Sequence, residues 1–123
     1  MAGPLLRLEK LFASSKRIES FTAGSTVFQQ GDPGDSMYVV LEGTVDIMLG
    51  DKLLDLSGPG DLLGEMSLID NKARSATAVA RTDVKLARVD EGAFLTMVQE
   101  TPFFALHVMR VLVERMRRSR ARL

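Results

Sequence analysis

The chain has no cysteine and no tryptophan, and only one histidine among its 123 residues. Without cysteine there is no disulfide, no thiolate metal site and no cysteine nucleophile. One histidine is too few for a typical metallohydrolase ligand set, and no Gly-Lys-Ser/Thr loop is present to cradle ATP or GTP phosphates. These absences argue against an enzyme and against a metal or other cofactor.

Long apolar runs are also missing. No stretch reaches the roughly 18 apolar residues that a membrane span requires, and residues 1–7 lack the apolar core of a secretory signal. The composition, with 46% hydrophobic and 26% charged residues, is close to that of globular proteins. We therefore expect a cytoplasmic chain of one domain, with no membrane span.

Positive and negative charges are equal in number but separated along the chain. Residues 31–70 contain one basic residue, Lys52, and nine acidic ones: Asp32, Asp35, Glu42, Asp46, Asp51, Asp55, Asp61, Glu65 and Asp70. From Arg110 onward six arginines accompany a single acid, Glu114. We expect the two segments to attract each other or the arginines to face an acidic partner.

The middle of the chain consists of short β-forming runs broken by Gly, Pro and Asp turns. These runs predict strands at 25–28, 37–41, 45–49, 52–56, 76–80 and 84–89. Several short strands with such turns indicate an antiparallel roll or sandwich rather than a βαβ sheet. The fold class predicted is mainly β with flanking helices (α+β).

Helical patterns flank these runs. A short helix is predicted at 5–12 after Pro4, a second at 91–99, and a third from Pro102 to about Arg120. The third has more apolar residues than one packing stripe needs: Phe103, Phe104, Leu106, Val108, Met109, Val111, Leu112, Val113 and Met116. The surplus predicts that this helix also meets a ligand or another subunit.

Residues 58–78 contain the groups best suited to binding a phosphate and a sugar. Gly64 permits close approach of a ligand to the backbone, and a helical turn starting at Glu65 would present free amides to a phosphate. Arg74 offers a full positive charge with forked donors, while the Glu65 carboxylate suits a sugar hydroxyl. The alternative is a structural ion pair between Glu65 and Arg74, with the glycines serving only as turns.

This segment resembles the phosphate-binding cassette of the cyclic-nucleotide-binding domain family. The family includes the bacterial catabolite activator protein, protein kinase A regulatory subunits and cyclic-nucleotide-gated channels. The matching residues are Gly64-Glu65-Met66-Ser67-Leu68 and Arg74-Ser75-Ala76, with further similarity at the turn 31–38 and at Glu42-Gly43. The resemblance extends from about Phe21 to the C-terminus, although Lys72-Ala73 stands where many relatives have proline or another residue.

The resemblance implies one domain over 1–123, with an antiparallel double-stranded β-helix, a jelly-roll-like β-roll, at about 18–90. A short N-terminal helix and two C-terminal helices at about 91–120 complete it. The implied ligand is cyclic AMP, with cyclic GMP possible. The implied ligand-binding residues are Gly64, Glu65, Met66, Ser67, Arg74, Ser75 and Ala76.

Within this set the resemblance assigns distinct roles. Gly64 and Glu65 would hold the ribose 2′-hydroxyl, and Arg74, the Ser75 hydroxyl and nearby amides would hold the cyclic phosphate. A gap-free count along the last helix adds Arg115, facing the pocket glutamate, and Ser119, presenting a hydroxyl to the base. The alternative for these last two residues is a solvated helix end.

The expected function is a non-catalytic sensor whose C-terminal helices move when a cyclic nucleotide binds. A helix-turn-helix, kinase or channel part is missing before the end at Leu123, so we expect no sequence-specific DNA binding by this chain. The alternative is a ligand-free scaffold or homodimerisation module acting through the C-terminal helix or an effector domain. A third possibility is nonspecific nucleic-acid binding by the arginine tail, which would depend steeply on salt.

Overall fold

The computed structural model describes residues 7–121, and side chains up to residue 118. Two compact units are present, one of residues 7–91 and one from Gly92 onward. The elements of the first unit are α1 (Leu8–Leu11), β1 (Ile18–Phe21), β2 (Thr26–Phe28), β3 (Ser36–Glu42), β4 (Val45–Leu49), β5 (Lys52–Ser57), β6 (Leu62–Leu63), α2 (Glu65–Asp70), β7 (Thr77–Ala80) and β8 (Val84–Asp90). Helix α3 (Glu91–Glu100) begins at the end of this unit and α4 (Phe103–Ala121) follows.

The eight strands form two antiparallel four-stranded sheets. Their orders are β1-β8-β3-β6 and β2-β7-β4-β5. Strands distant in sequence are neighbours in both sheets, as a roll requires. The predicted fold class, an antiparallel jelly-roll-like β-roll with flanking helices, is confirmed.

The core lies between the sheets and contains residues from both. It is formed by Tyr38, Val40, Val45, Leu63, Ala78, Ala80, Val84 and Leu86. Strand β3 is buried along most of its length, from Ser36 to Val40, because α1 and α2 also pack against it. Burial on both faces explains why its sequence is a continuous apolar run rather than an alternating one.

In the second unit, the rings of Phe94 on α3 and Phe104 on α4 pack 5.3 Å apart. Phe104 and Val108 are fully buried, whereas Leu106, Met109, Val113 and Met116 are exposed by 38 to 63%. His107, next to Val108 in the sequence, is half-buried. Burial lowers the pKa of His107 below the ordinary 6.5, and the nearby charge of Arg110 lowers it further by a smaller amount.

Two strands have no counterpart among the predicted runs. Strand β1 has four residues with one exposed apolar end, Ile18, and β6 has two residues within a Gly-rich stretch. Both are too short to produce a periodic signal. The first helix is shorter than predicted, since it begins at Leu8, and Pro4 and Leu5 lie outside the described residues.

Over the described part of the chain, no helix combines the length and the apolar character that crossing a bilayer requires.

Candidate functional site

The first part of the site is the junction between β6 and α2. Gly64 forms the N-cap of α2 with φ 70° and ψ 20°, in the left-handed region that disfavours residues with a Cβ. As glycine it offers no side chain to cap the first amides of the helix. The next residue, Glu65, is buried, with 4% of its surface exposed.

The second part is Arg74, which is fixed to the turn at 31–32 by two backbone hydrogen bonds. The Arg74 N–H donates to the carbonyl of Asp32 at 2.9 Å, and its carbonyl accepts from the N–H of Gly31 at 2.9 Å. The turn preceding β3 therefore sets the position of the arginine backbone.

The Arg74 side chain reaches back to the start of α2. Its Nη1 donates to the Gly64 carbonyl oxygen at 3.1 Å, and its Cζ lies 4.4 Å from the centre of the Phe28 ring. A Cβ at position 34 would lie 2.7 Å from Arg74 Nε, and one at position 64 would overlap Nη1. Two glycines thus leave the space that the guanidinium occupies.

In the part of the chain that the structure describes, the guanidinium is buried without an ion-pair partner. Arg74 is 6% exposed, and its Nε has no hydrogen-bond partner. Among the described residues, no carboxylate forms an ion pair with it. Burial lowers the pKa of Arg74, and this effect outweighs the raising influence of Tyr38, Asp35 and Asp32. A guanidinium remains charged at neutral pH, so the site contains a buried cation that, among the described residues, has no direct ion pair.

The structure brings Gly64 and Arg74, two members of the predicted binding set, into direct contact. Ser67 is buried, with its Oγ close to Gly34, whereas Met66 is 53% exposed. Ser75 is exposed and Ala76 is half-buried, both in the bend before β7. The ligand roles of all these residues remain predictions.

The two predicted residues of the last helix belong to the other unit. Arg115 lies on α4, half-buried and engaged in an interaction of its own. The side chain of Ser119 lies outside the described residues. Their predicted roles at a purine and at the pocket glutamate therefore stay predictions.

Sequence reasoning missed the two residues that surround the guanidinium, Phe28 and Gly34. The turn containing Gly34 is similar to the family's, and Phe28 ends one of the predicted strands. Nothing in the local pattern connects either of them to Arg74, because both are far from it in sequence.

A separate open cavity of about 290 Å³ lies beside β1 and β8. Its lining residues are Ser20, Phe21, Thr22, Glu42, Asp83, Val84 and Lys85. None of them belongs to the predicted site, and its only cation, Lys85, is exposed and paired with Glu42 at 3.7 Å. The buried cation at Arg74 is the stronger candidate for binding an anion.

Comparisons with known proteins agree with this geometry. Residues 18–101 match the family described as "Cyclic nucleotide-binding domain". The CRP-like cAMP-activated global transcriptional regulator of Mycobacterium tuberculosis is 34% identical over 104 residues, covering 80% of this chain and 46% of the relative. The chain thus spans about half the length of the curated relatives it matches.

Solved structures show the same similarity. The crystal structure of the Thermus thermophilus catabolite activator protein matches with a TM-score of 0.79 and 35% identity, over 94% of this chain and 57% of that one. An EAL enzyme (Bd1971), solved in cAMP-bound and cGMP-bound forms, matches with TM-scores of 0.62 and 0.63 and 36% identity, over 84% of this chain and 29% of that one. From its β-roll, its buried arginine beside Gly64 and these matches, the chain belongs to the cyclic nucleotide-binding domain family.

Proposed function

We propose that this chain binds a cyclic mononucleotide, cyclic AMP most readily, as a regulatory sensor without catalytic activity. The observation that carries the proposal is the Arg74 guanidinium, buried beside Gly64, whose Nε has no hydrogen-bond partner and which pairs with no carboxylate of the described residues. An unpaired buried charge is costly to a fold. A ring phosphate at this position would compensate it.

The roles within the site follow from the chemistry of each group. Arg74 neutralises the singly charged cyclic phosphate through forked N–H donors. Glu65, an acceptor when ionised, accepts from the ribose 2′-hydroxyl, and Gly64 leaves the room beside it that the guanidinium occupies. The exposed Ser75 supplies a hydroxyl that serves either a phosphate or a purine.

The preference for cyclic AMP rests on similarity rather than on a purine contact. The Mycobacterium tuberculosis relative is named as cAMP-activated, whereas the EAL enzyme was solved with either cyclic nucleotide. The phosphate and ribose contacts proposed here are common to both ligands. We therefore expect cyclic GMP to bind as well, more weakly than cyclic AMP.

The signal of such a sensor is a change in the position of its C-terminal helices. A ligand shifts a conformational equilibrium only by as much as it binds one state better than the other. We propose that binding repositions α3 and α4, with Arg115 and Ser119 taking part over the base. A partner domain or second subunit would then read the helix position. Hydrogen exchange of the α3 and α4 amides, measured with and without cyclic AMP, tests this step.

Replacing Arg74 tests binding itself. We expect Arg74→Ala to weaken cyclic AMP binding by about 2–5 kcal/mol, which is about 30-fold to several thousand-fold, measured by titration calorimetry. The control is Arg81→Ala, which removes an arginine of the same unit that is half-exposed and pairs with Asp46 at 2.8 Å. Affinity that is unchanged in Arg74→Ala, or lost equally in Arg81→Ala, would contradict the proposed phosphate site.

A second candidate function has an observation of its own. Leu106, Met109, Val113 and Met116 are exposed on α4 at alternating spacings of three and four residues, the pattern of a helix–helix seam. This favours a homodimerisation module that acts with or without ligand. A dimer showing no thermal shift with cyclic AMP or cyclic GMP would favour this function over the sensor.

A further inference from the structure

The ring of Phe28 packs against the Arg74 guanidinium. It ends β2, lies half-buried against the core between the sheets, and stacks on Tyr38 with ring centres 6.3 Å apart. Arg74 Cζ lies 4.4 Å from the centre of the Phe28 ring. A Cβ at Gly64 would be 3.4 Å from Phe28 Cε2, so the ring also lies close to the start of α2.

Hydrogen bonds do little to set the orientation of the guanidinium. Among the described residues, its one side-chain hydrogen bond runs from Nη1 to the Gly64 carbonyl, and Nε has no partner. One hydrogen bond does not by itself set the plane of the group, and the glycines beside it leave space without supplying a contact surface. The face of an aromatic ring fixes the plane and attracts the cation, most strongly where water is excluded, as it is at a residue only 6% exposed.

We infer that Phe28 is a positioning residue that orients the Arg74 guanidinium for an anionic ligand before that ligand arrives. The inference rests on the proposed function, since the ligand in question is the cyclic phosphate. Orienting a binding group in advance removes an ordering cost from the binding step. Phe28 thereby raises affinity without touching the phosphate.

Three variants of the full chain test this role. Phe28→Leu keeps an apolar side chain and removes the ring face, and Phe28→Tyr restores the ring. Phe21→Leu is the matched control, because Phe21 packs against the same core and, among the described residues, no guanidinium lies over its ring. Thermal melting of each variant establishes that it is folded before calorimetry with cyclic AMP.

We expect Phe28→Leu to weaken cyclic AMP binding by about tenfold, with Phe28→Tyr and Phe21→Leu close to wild type. In an Arg74→Ala background, Phe28→Leu should produce no further loss, because the ring acts only through the guanidinium. A merely structural role would weaken binding by the same factor in both backgrounds, and that result would overturn the inference.

A measurement without ligand separates this inference from the proposed function. Proton NMR should place the Arg74 Nε–H resonance upfield in the wild type, through the ring current of Phe28, and return it to the ordinary arginine range in Phe28→Leu. An unshifted resonance in the wild type would overturn the inference while leaving the proposed function intact. Absence of cyclic nucleotide binding by the wild type would overturn the proposed function, and the ligand-orienting role with it.

Discussion

At the scale of single residues, the site depends on side chains that are missing as much as on those that are present. Gly34 and Gly64 come from different parts of the sequence, yet the guanidinium of Arg74 occupies the space that a Cβ of either would fill. Gly64 also has a positive φ, but no such constraint applies to Gly34. At position 34 the requirement for glycine is therefore purely steric.

We predict that Gly34→Ala displaces Arg74 and both destabilises the fold and weakens ligand binding. The new Cβ would lie 2.7 Å from Arg74 Nε and 2.8 Å from Ser67 Cβ, and such overpacking costs about 1–3 kcal/mol. Denaturant unfolding and calorimetry with cyclic AMP measure the two effects. Gly58→Ala is the matched control, since nothing lies within 4 Å of its added Cβ and its φ is not positive. Equal behaviour of the two variants would show that the space beside Arg74 is not tight.

At the scale of elements, α4 has two kinds of apolar surface. Phe104 and Val108 are buried, and Phe104 packs on Phe94 of α3. Leu106, Met109, Val113 and Met116 form a second, exposed stripe. Exposed apolar stripes of this kind mark interaction surfaces, which is the basis of the dimerisation candidate.

If that stripe joins two copies, Met116→Glu should convert a dimer to a monomer. Met116 is the most exposed member of the stripe, at 63%, and an interface would desolvate the introduced charge. Light scattering after size exclusion distinguishes the 13.5 kDa monomer from a species of twice that mass. Leu95→Glu is the control, because Leu95 is comparably exposed, at 58%, but lies on α3 outside the stripe. A wild type that stays monomeric at every concentration would exclude this candidate.

At the scale of the whole molecule, ligand binding should raise the free energy of unfolding of the protein. A ligand that binds only the folded state stabilises it by about 2.7 kcal/mol at one hundred times its Kd. For a chain of 123 residues this corresponds to a rise in Tm of about 10 °C. The rise should be seen with cyclic AMP in the wild type and fall to about 3 °C or less in Arg74→Ala at the same concentration, because a Kd weakened at least about 30-fold leaves at most about 0.9 kcal/mol of stabilisation. A rise of the same size in Arg74→Ala would place the ligand elsewhere.

The fold was largely predictable because its signals are local. Strands such as β4 and β8 alternate or end at Gly and Asp turns, and Pro102 precedes a long apolar-rich helix. Short β1 and β6 escaped prediction, since strands of four and two residues have too few positions for a period. Their place in the roll is fixed by pairing with β8 and β3, which are distant in sequence.

For the candidate site, the sequence alone identified Gly64 and Arg74, because both belong to one continuous segment with a family pattern. Only the tertiary structure brought Phe28 and Gly34 to that arginine, and only it showed that the guanidinium is buried and forms no ion pair with a carboxylate of residues 7–118. The physical reason is that local spacing determines which residues share a turn or helix. The packing of the two sheets, together with the turn at 31–35, determines which distant groups come into contact. It therefore also determines how far each charged group is buried from water and whether an opposite charge lies beside it.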